Sequence, residues 1–302
     1  MAALEARTAS HVPDVAHDLA QAPAYDLAGH PVAERAPGLK AMVFAGIRFA
    51  HRALSPRSLE GKTSIYFHAL DRSQWDQFRV CIEHFKGLGY RTVSPPDFVA
   101  ADRRERCLFV SFDDNFRDWH AALPLLRSLG IHATFYVNSL PFRDVEGSDT
   151  IARYSRRLGL AQDCEPLTRD ELRQIRADGH TIGCHSHSHF VLGKLPRELW
   201  DGEIRGSKQT LEAILGEEIS DLSWPYGMRR HFSDDLRDYC RSIGFATITN
   251  AISGCQAIAG DDPLDIYRTD WRLGTTLQEN LANLRIDGRL YARITGRSVI
   301  GR

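Results

Sequence analysis

Residues 107–114, with the sequence CLFVSFDD, decide the fold that this chain is expected to adopt. The segment is apolar enough for a β-strand buried on both faces, which is typical of a parallel sheet covered by helices. Similar segments recur along the chain, separated by stretches in which apolar residues repeat with helical spacing. Strands that alternate with helices predict a parallel sheet with right-handed crossovers. About seven such units favour a closed α/β barrel over an open sheet.

The same patterns place the other elements around this strand. Further strands are predicted over 64–70, 91–94, 132–139, 180–186, 220–227, 245–250 and 266–273. Helices are predicted over 74–88, 118–129, 168–178, 196–215, 233–243 and 277–286. Residues 141–167 are interpreted as a long polar excursion, a lid or wall over a site. In barrels of this kind the chemistry lies at the carboxyl ends of the strands.

Composition limits the classes of partner. The 302 residues are 43% hydrophobic and 25% charged, as in an ordinary globular protein, and suffice for one large barrel or two ordinary domains. The formal net charge of -1 provides no overall field that would attract nucleic acid, so we expect no such partner. Six scattered cysteines without a CxxC pair indicate free thiols in a reducing compartment.

The first 60 residues are predicted to form a polar leader with one helical segment, and residues 61–302 the barrel. The chain begins without a basic head followed by an apolar run, so we expect no secretory signal and a cytoplasmic location. The stretch Leu39–Ala53 is too short and too charged for a transmembrane segment. An amphipathic surface helix there, with peripheral membrane contact, is the alternative.

Two adjacent acids, Asp113 and Asp114, close the central strand. Neighbouring strand residues point in opposite directions, but the chain turns at a strand end, so both acids can reach one cavity. Such a pair can divide the work, with one carboxylate binding a metal and the other taking a proton from water. The alternative is that an aspartate here only caps the following helix.

Three histidines, His185, His187 and His189, follow a later strand. The outer two can converge on one ion, and neutral imidazole suits zinc and similar divalent metals. Two histidines and one carboxylate leave open positions for water and substrate. His187 is expected to pack or to support a ligand. A surface loop that is rich in histidine by chance is the alternative.

Two weaker signals complete the set. Pro225 and Tyr226 lie in a tight turn at a strand end, where the backbone N–H of Tyr226 can stabilise an oxyanion, although such a turn can also be ordinary. Arg268 and Trp271 lie on the last predicted strand. An inward Arg268 would pair with a catalytic carboxylate and lower its pKa, whereas an outward one would form a surface ion pair.

The ordered set FDD, HSxxH, PYG and an Arg/Trp strand resembles the polysaccharide deacetylases, also described as the nodulation-type chitooligosaccharide deacetylase homology domain. The resemblance covers residues 64–273. It implies a distorted (β/α) barrel with about seven parallel strands, of the glycoside hydrolase/deacetylase type. It also implies a divalent metal cofactor, with Zn²⁺ expected first among the transition metals.

The resemblance further implies a role for each matching residue. Asp113 would be the general base, and Arg268 would orient it. The metal ligands would be Asp114, His185 and His189. Tyr226, next to Pro225, would provide the oxyanion N–H, and Trp271 would form a wall of the acetyl pocket.

Three departures from the family pattern bear on the mechanism. Asn115 replaces the usual glycine after FDD. Asparagine tolerates the left-handed conformation that glycine would supply, so we expect the change to be mild. Residues 222–224 stand where many members carry an arginine. The C-terminal Leu-x-His motif, whose histidine is the general acid, is missing. His68 is the first candidate for this acid, with a packed structural histidine as the alternative, and His231 is the second.

The leading hypothesis is therefore a metal-dependent hydrolase that removes N-acetyl groups from an amino sugar in a glycan or glycan precursor. A second hypothesis keeps the fold and exchanges the substrate for a non-sugar amide or a cyclic imide. A third is a degenerate glycan-binding barrel without catalysis. The sequence leaves the oligomeric state open.

Overall fold

The computed structural model describes Gly46, residues 61–253 and residues 262–297. The predicted leader and the Leu39–Ala53 segment lie outside these residues, apart from Gly46. The described strands are β1 (Thr63–Phe67), β2 (Arg91–Thr92), β3 (Cys107–Asp114), β4 (Thr134–Val137), β5 (Thr181–Cys184), β6 (Asp221–Ser223), β7 (Thr247–Thr249) and β8 (Thr269–Asp270). They form one sheet in the order β7-β6-β5-β4-β3-β1-β8, with β2 paired to the start of β3, and every pairing is parallel.

Helices connect and cover the strands. They are α1 (Trp75–Gly87), α2 (Pro95–Ala100), α3 (Asp118–Ala121), α4 (Leu123–Leu129), α5 (Ser148–Arg157), α6 (Arg169–Ala177), α7 (Gly206–Leu215), α8 (Asp234–Ser242), α9 (Leu277–Leu284) and α10 (Arg289–Thr295). In the ranges that the structure describes, no helix combines the length and the apolarity that crossing a bilayer requires.

The helix predictions differ from the structure in four places. The helix predicted over 118–129 is divided at Ala122, because Pro124 has no N–H for the helical hydrogen-bond ladder. The polar excursion contains α5, which its largely polar sequence concealed. The last predicted helix is followed by α10. The helix predicted from residue 196 begins with a 3₁₀ turn, and a π-helical segment (Asp201–Arg205) precedes α7.

The segment that leads into β8 bridges the two edges of the curled sheet. Ile266 forms a parallel bridge with Thr249 of β7, and Thr269 pairs with Ile65 of β1. The short segment between them therefore contacts both edges of the sheet. This curled arrangement of parallel strands and helices confirms the predicted barrel.

Alternation along β3 separates the two sides of the sheet. Phe112 points outward and stacks between the rings of Phe67 and Phe135, with centroid distances of 5.3 and 4.9 Å. The outer side chains pack under the helices, whereas Phe109 and Tyr136 belong to a separate cluster on the inner side. Because Phe112 is anchored outward, the next residue, Asp113, faces the barrel interior.

Candidate metal-dependent active site

The carboxyl ends of β3 and β5 bring Asp114, His185 and His189 together. Each offers one ligand atom, and these three atoms lie within 4.8 Å of one another. The Oδ1 atom of Asp114 is 3.2 Å from Nε2 of His189 and 3.5 Å from Nε2 of His185. All three residues are buried. The structure therefore gathers the ligand set that the two motifs predicted.

The donor chemistry of this cluster fits a divalent cation. The ring of His185 contacts the carbonyl oxygen of Ser223 through Nδ1 at 2.7 Å, so Nδ1 carries a hydrogen and Nε2 faces Asp114. Two ligands on a tetrahedral zinc ion are separated by roughly 3.3 Å, given bonds of about 2.0–2.2 Å. The two observed distances are close to this separation. Burial raises the pKa of Asp114, but the two imidazoles outweigh burial and hold it well below its usual value.

Backbone strain is concentrated in the same motifs. Among the described residues, the non-glycine positions with positive φ are Asp114 (88°), Ser186 (65°), His189 (61°) and Tyr226 (63°). Side chains disfavour this region, and such conformations persist only where the surroundings hold them. At Asp114 the unusual φ turns the chain at the end of β3. Both adjacent acids can therefore serve one cavity.

Asn115 does not adopt the left-handed conformation that asparagine tolerates. The left-handed residue is Asp114, one position earlier. Asn115 is instead buried, donates from its side chain to the carbonyl of Asn138 at 3.0 Å and accepts from the N–H of Leu167 at 2.9 Å. Its amide joins two loops, a role that glycine cannot perform.

Asp113 is held by a buried arginine. Arg268 donates from both terminal nitrogens to the two carboxylate oxygens, at 2.7 and 2.8 Å. The guanidinium lies between the rings of Tyr66 and Tyr136, 4.8 and 5.2 Å from their centroids. Burial raises the pKa of Asp113, but the attraction of Arg268 and His185 outweighs it, so this pKa lies below its usual value. Asp113 is therefore a carboxylate at neutral pH.

Ser223 is a site residue to which the sequence analysis gave no role. Its hydroxyl accepts from Arg268 at 2.7 Å and lies 3.3 Å from Oδ2 of Asp113. Its carbonyl oxygen is the partner of His185. One residue thus contacts both the Asp113–Arg268 ion pair and the metal-ligand candidate His185. The signal for it was its place within residues 222–224, where many members of the resembled family carry an arginine.

The PYG segment forms a type II turn beside the histidines. The N–H of Gly227 donates to the carbonyl of Trp224 at 3.1 Å, with Pro225 and Tyr226 between them. The ring of Tyr226 lies 4.7 Å from that of His189. A Cβ atom on Gly227 would lie 2.1 Å from the Cβ of Ala251, so only glycine fits there. The turn therefore places the backbone of Tyr226 next to the cluster.

The two candidates for the general acid differ in environment. His68 is half-buried after β1, its ring is 5.4 Å from that of Tyr66, and its charge acts on both Asp113 and Asp114. His231 is buried behind Tyr226, and burial lowers its pKa to about 3. An imidazole that stays neutral at pH 7 is a poor proton donor. The low pKa of His231 argues against it as the acid, which leaves His68 as the candidate.

Other residues from the motifs lie away from the cluster. His187 contacts the hydroxyl of Ser139 through Nδ1 at 2.8 Å. Cys184 contacts Ser207 at 3.3 Å on the outer side of the sheet. Trp271, expected in the acetyl pocket, packs 5.6 Å from the ring of Phe85 of α1, in the layer between strands and helices. The structure does not bring Trp271 to the ligand cluster.

Comparison with known proteins agrees with this geometry. Residues 100–248 match the polysaccharide deacetylase family model. The chain is 23% identical over 153 residues to YxkH of Bacillus subtilis, a protein assigned to the polysaccharide deacetylases. This match covers 48% of each protein, so the chain spans about half the length of that relative. The resemblance predicted from the motifs is thus confirmed.

Solved structures confirm the fold. A polysaccharide deacetylase from Bacillus cereus is similar with a TM-score of 0.58 and 20% identity, covering 74% of this chain and 69% of its own. The deacetylase PplD from Streptococcus pyogenes is similar with a TM-score of 0.58 and 17% identity, and the match covers 75% of this chain and 98% of PplD. A de-N-acetylase from Aggregatibacter actinomycetemcomitans is similar with a TM-score of 0.56 and 15% identity, and the match covers 74% of this chain and 100% of that protein.

Proposed function

Because residues 100–248 of this chain belong to the polysaccharide deacetylase family, we propose that the protein is a metal-dependent hydrolase that removes N-acetyl groups from an amino sugar. The substrate would be a glycan or glycan precursor. One observation carries the proposal: a buried carboxylate–imidazole cluster lies beside a second carboxylate that a buried arginine holds ionised. A site of this kind combines ligands for a metal with a base for water.

Asp114, His185 and His189 would hold the cation. Two imidazoles and one carboxylate match the donor set of catalytic zinc sites, so Zn²⁺ is the first candidate. When bound, the ion would supply Lewis acidity towards water and the acyl oxygen. The ionised state of Asp114 supports this role, because a metal ligand must be deprotonated.

Asp113 would take the proton from the attacking water. Its pKa below the usual value keeps it ionised, and Arg268 holds both of its oxygens in place. Fixing the orientation of a base in this way contributes to catalysis by removing motions that the reaction would otherwise have to freeze. Arg268 would act through Asp113, without touching the substrate.

Tyr226 would stabilise the oxyanion through its backbone N–H, with Pro225 shaping the turn. His68, half-buried directly after β1, would return a proton to the departing amine. These assignments complete an acid–base pair without the missing C-terminal motif.

A metal-replete assay on a panel of acetamido sugars tests the proposal. Acetate release by the wild-type protein, lost in Asp113→Asn and in His185→Ala, supports it. Release from a non-sugar amide or a cyclic imide alone would favour the second hypothesis. Binding of glycans by a protein that takes up no metal would favour the third. The cytoplasmic location is likewise a prediction, to be tested by cell fractionation with an antibody against the chain.

A further inference from the structure

A buried glutamate forms hydrogen bonds with the histidine loop, His185–His189. Glu203 lies in the π-helical segment and is 0% exposed. Its Oε2 atom accepts from the N–H of Ser188 at 2.9 Å, and its backbone carbonyl accepts from the N–H of His187 at 2.8 Å. A carboxylate is costly to bury unless it is hydrogen-bonded or paired. Its partners here are peptide groups of the loop that carries the ligands.

Arg157 also forms a hydrogen bond with Ser188, at the carbonyl group of that residue. Its Nη1 donates to the carbonyl of Ser188, and its guanidinium lies 4.0 Å from the centroid of the Phe190 ring. Burial lowers the pKa of Arg157, while the negative charge of Glu203 opposes that shift. The two charged side chains therefore influence each other across Ser188. Glu203 accepts a hydrogen bond from the N–H of Ser188, and Arg157 donates one to the C=O of Ser188.

The residue after Ser188 is His189, one of the candidate ligands, with φ at 61°. A non-glycine residue in this region reverts to an ordinary conformation unless neighbouring contacts oppose the change. The contacts of Glu203 and Arg157 fix the two peptide groups on either side of Ser188. They thereby restrict the rotation that would turn the His189 ring away from Asp114.

We propose that Glu203 and Arg157 are positioning residues that hold the strained His185–His189 loop and thereby set the metal affinity of the site. The inference rests on the proposed function, because it requires the cluster to bind a cation. It extends that function to α5 and to the π-helical segment, neither of which contributes a ligand. Outer partners of metal ligands typically change affinity by about 10–100-fold.

The test measures the dissociation constant for Zn²⁺ by competition with a chromophoric chelator. Glu203→Leu removes the acceptor at similar volume and should weaken binding about tenfold or more. Glu203→Gln keeps an oxygen that can accept from Ser188 and should stay within about threefold of the wild-type protein. The absorption spectrum of the Co²⁺-loaded protein should change in Glu203→Leu only, because His189 would move.

Glu171→Leu is the matched control. This buried glutamate caps α6 and pairs with Arg143, so its loss destabilises the fold without touching the histidine loop. Equal weakening in the control and in Glu203→Leu would overturn the inference, as would wild-type affinity in Glu203→Leu. Failure of the wild-type protein to bind Zn²⁺ would instead overturn the proposed function.

A second variant keeps the inference testable if Glu203→Leu does not fold, as judged by circular dichroism. Arg157→Met removes the donor to Ser188 while keeping an apolar side chain against Phe190. Arg157 is half-buried, so this change is better tolerated. Weakened Zn²⁺ binding with an unchanged unfolding temperature supports the inference. Unchanged binding overturns it.

Discussion

Arg268 and Asp113 form a buried bidentate ion pair, with N–O distances of 2.7 and 2.8 Å between residues 155 positions apart in the chain. Asp113 ends β3, and Arg268 lies in the segment that contacts both edges of the sheet. The segment that bridges the two edges of the sheet therefore also carries the arginine that orients the proposed base. Removing either partner leaves a buried charge without compensation.

Asp113→Asn should abolish most catalysis while leaving the metal site intact. Loss of a general base lowers kcat by about 10²–10⁴-fold. The amide nearly matches the carboxylate in shape, and Asp113 is not among the cluster's ligands. Acetate release and zinc content would be measured on the same preparation. Full activity in a zinc-loaded variant would refute the role of Asp113 as base.

Ser223→Ala should impair the function of the proposed base without affecting metal binding. The change removes the hydroxyl that contacts Arg268 and Asp113, but keeps the carbonyl that is the partner of His185. Loss of a hydrogen bond to a charged group predicts a kcat roughly tenfold lower or more. Zinc affinity should stay within about threefold. Ser223→Thr retains a hydroxyl and serves as the control, and equal losses in both variants would contradict this prediction.

His189→Ala and His187→Ala make a matched pair for the metal. His189 offers a ligand atom to the cluster, whereas His187 contacts Ser139. Elemental analysis should find about one zinc per chain in the wild-type protein and in His187→Ala, and much less in His189→Ala. Chelation should abolish activity, and added Zn²⁺ should restore it. Equal zinc content in the two variants would argue against the assigned ligand set.

His68→Gln tests the general acid. Glutamine can fill the position but cannot donate a proton as an acid, so kcat should fall by about 10²-fold or more. The effect should shrink on substrates with a better leaving group, because such a group needs less protonation. Zinc affinity should not change. An equal loss on good and poor leaving groups would point to a packing role for His68.

Glu171→Gln should change stability in a pH-dependent way. Bonds from Arg143 and the α6 cap outweigh burial and lower the pKa of Glu171 from 4.5 to about 2. A lowered folded-state pKa stabilises the protein above the unfolded-state value, and this contribution is lost as the pH falls from about 5 to about 2. The variant should therefore lose about 1–3 kcal/mol of unfolding free energy at pH 7.

The same difference between wild-type protein and variant should nearly vanish at pH 2. Glu165→Gln is the control, since the side chain of Glu165 is 73% exposed and pairs only at the surface with Arg117. Denaturant titrations at both pH values provide the measurement. A pH-independent difference for Glu171→Gln would mean that packing, rather than charge, explains the loss.

The sequence predicted the parallel strands and the motif residues at their ends well. The apolar run of Cys107–Asp114 indicated a buried parallel strand, because a strand covered on both faces needs apolar side chains throughout. The order of the motifs identified the family. The sequence did not reveal that Asp114, rather than Asn115, has the positive φ, because both residue types tolerate this region.

The sequence by itself thus indicated the strand ends, the candidate ligand types and the resemblance to the polysaccharide deacetylases, since periodicity and motif order are local properties. Only the tertiary structure decided that Ser223 links the Asp113–Arg268 pair to His185. The same holds for the hydrogen bonds of Glu203 and Arg157 to the histidine loop, and for the packing of Trp271 against the helices. Each of these depends on contacts between residues distant in the chain. Such contacts arise when the sheet curls and buried polar groups must find partners.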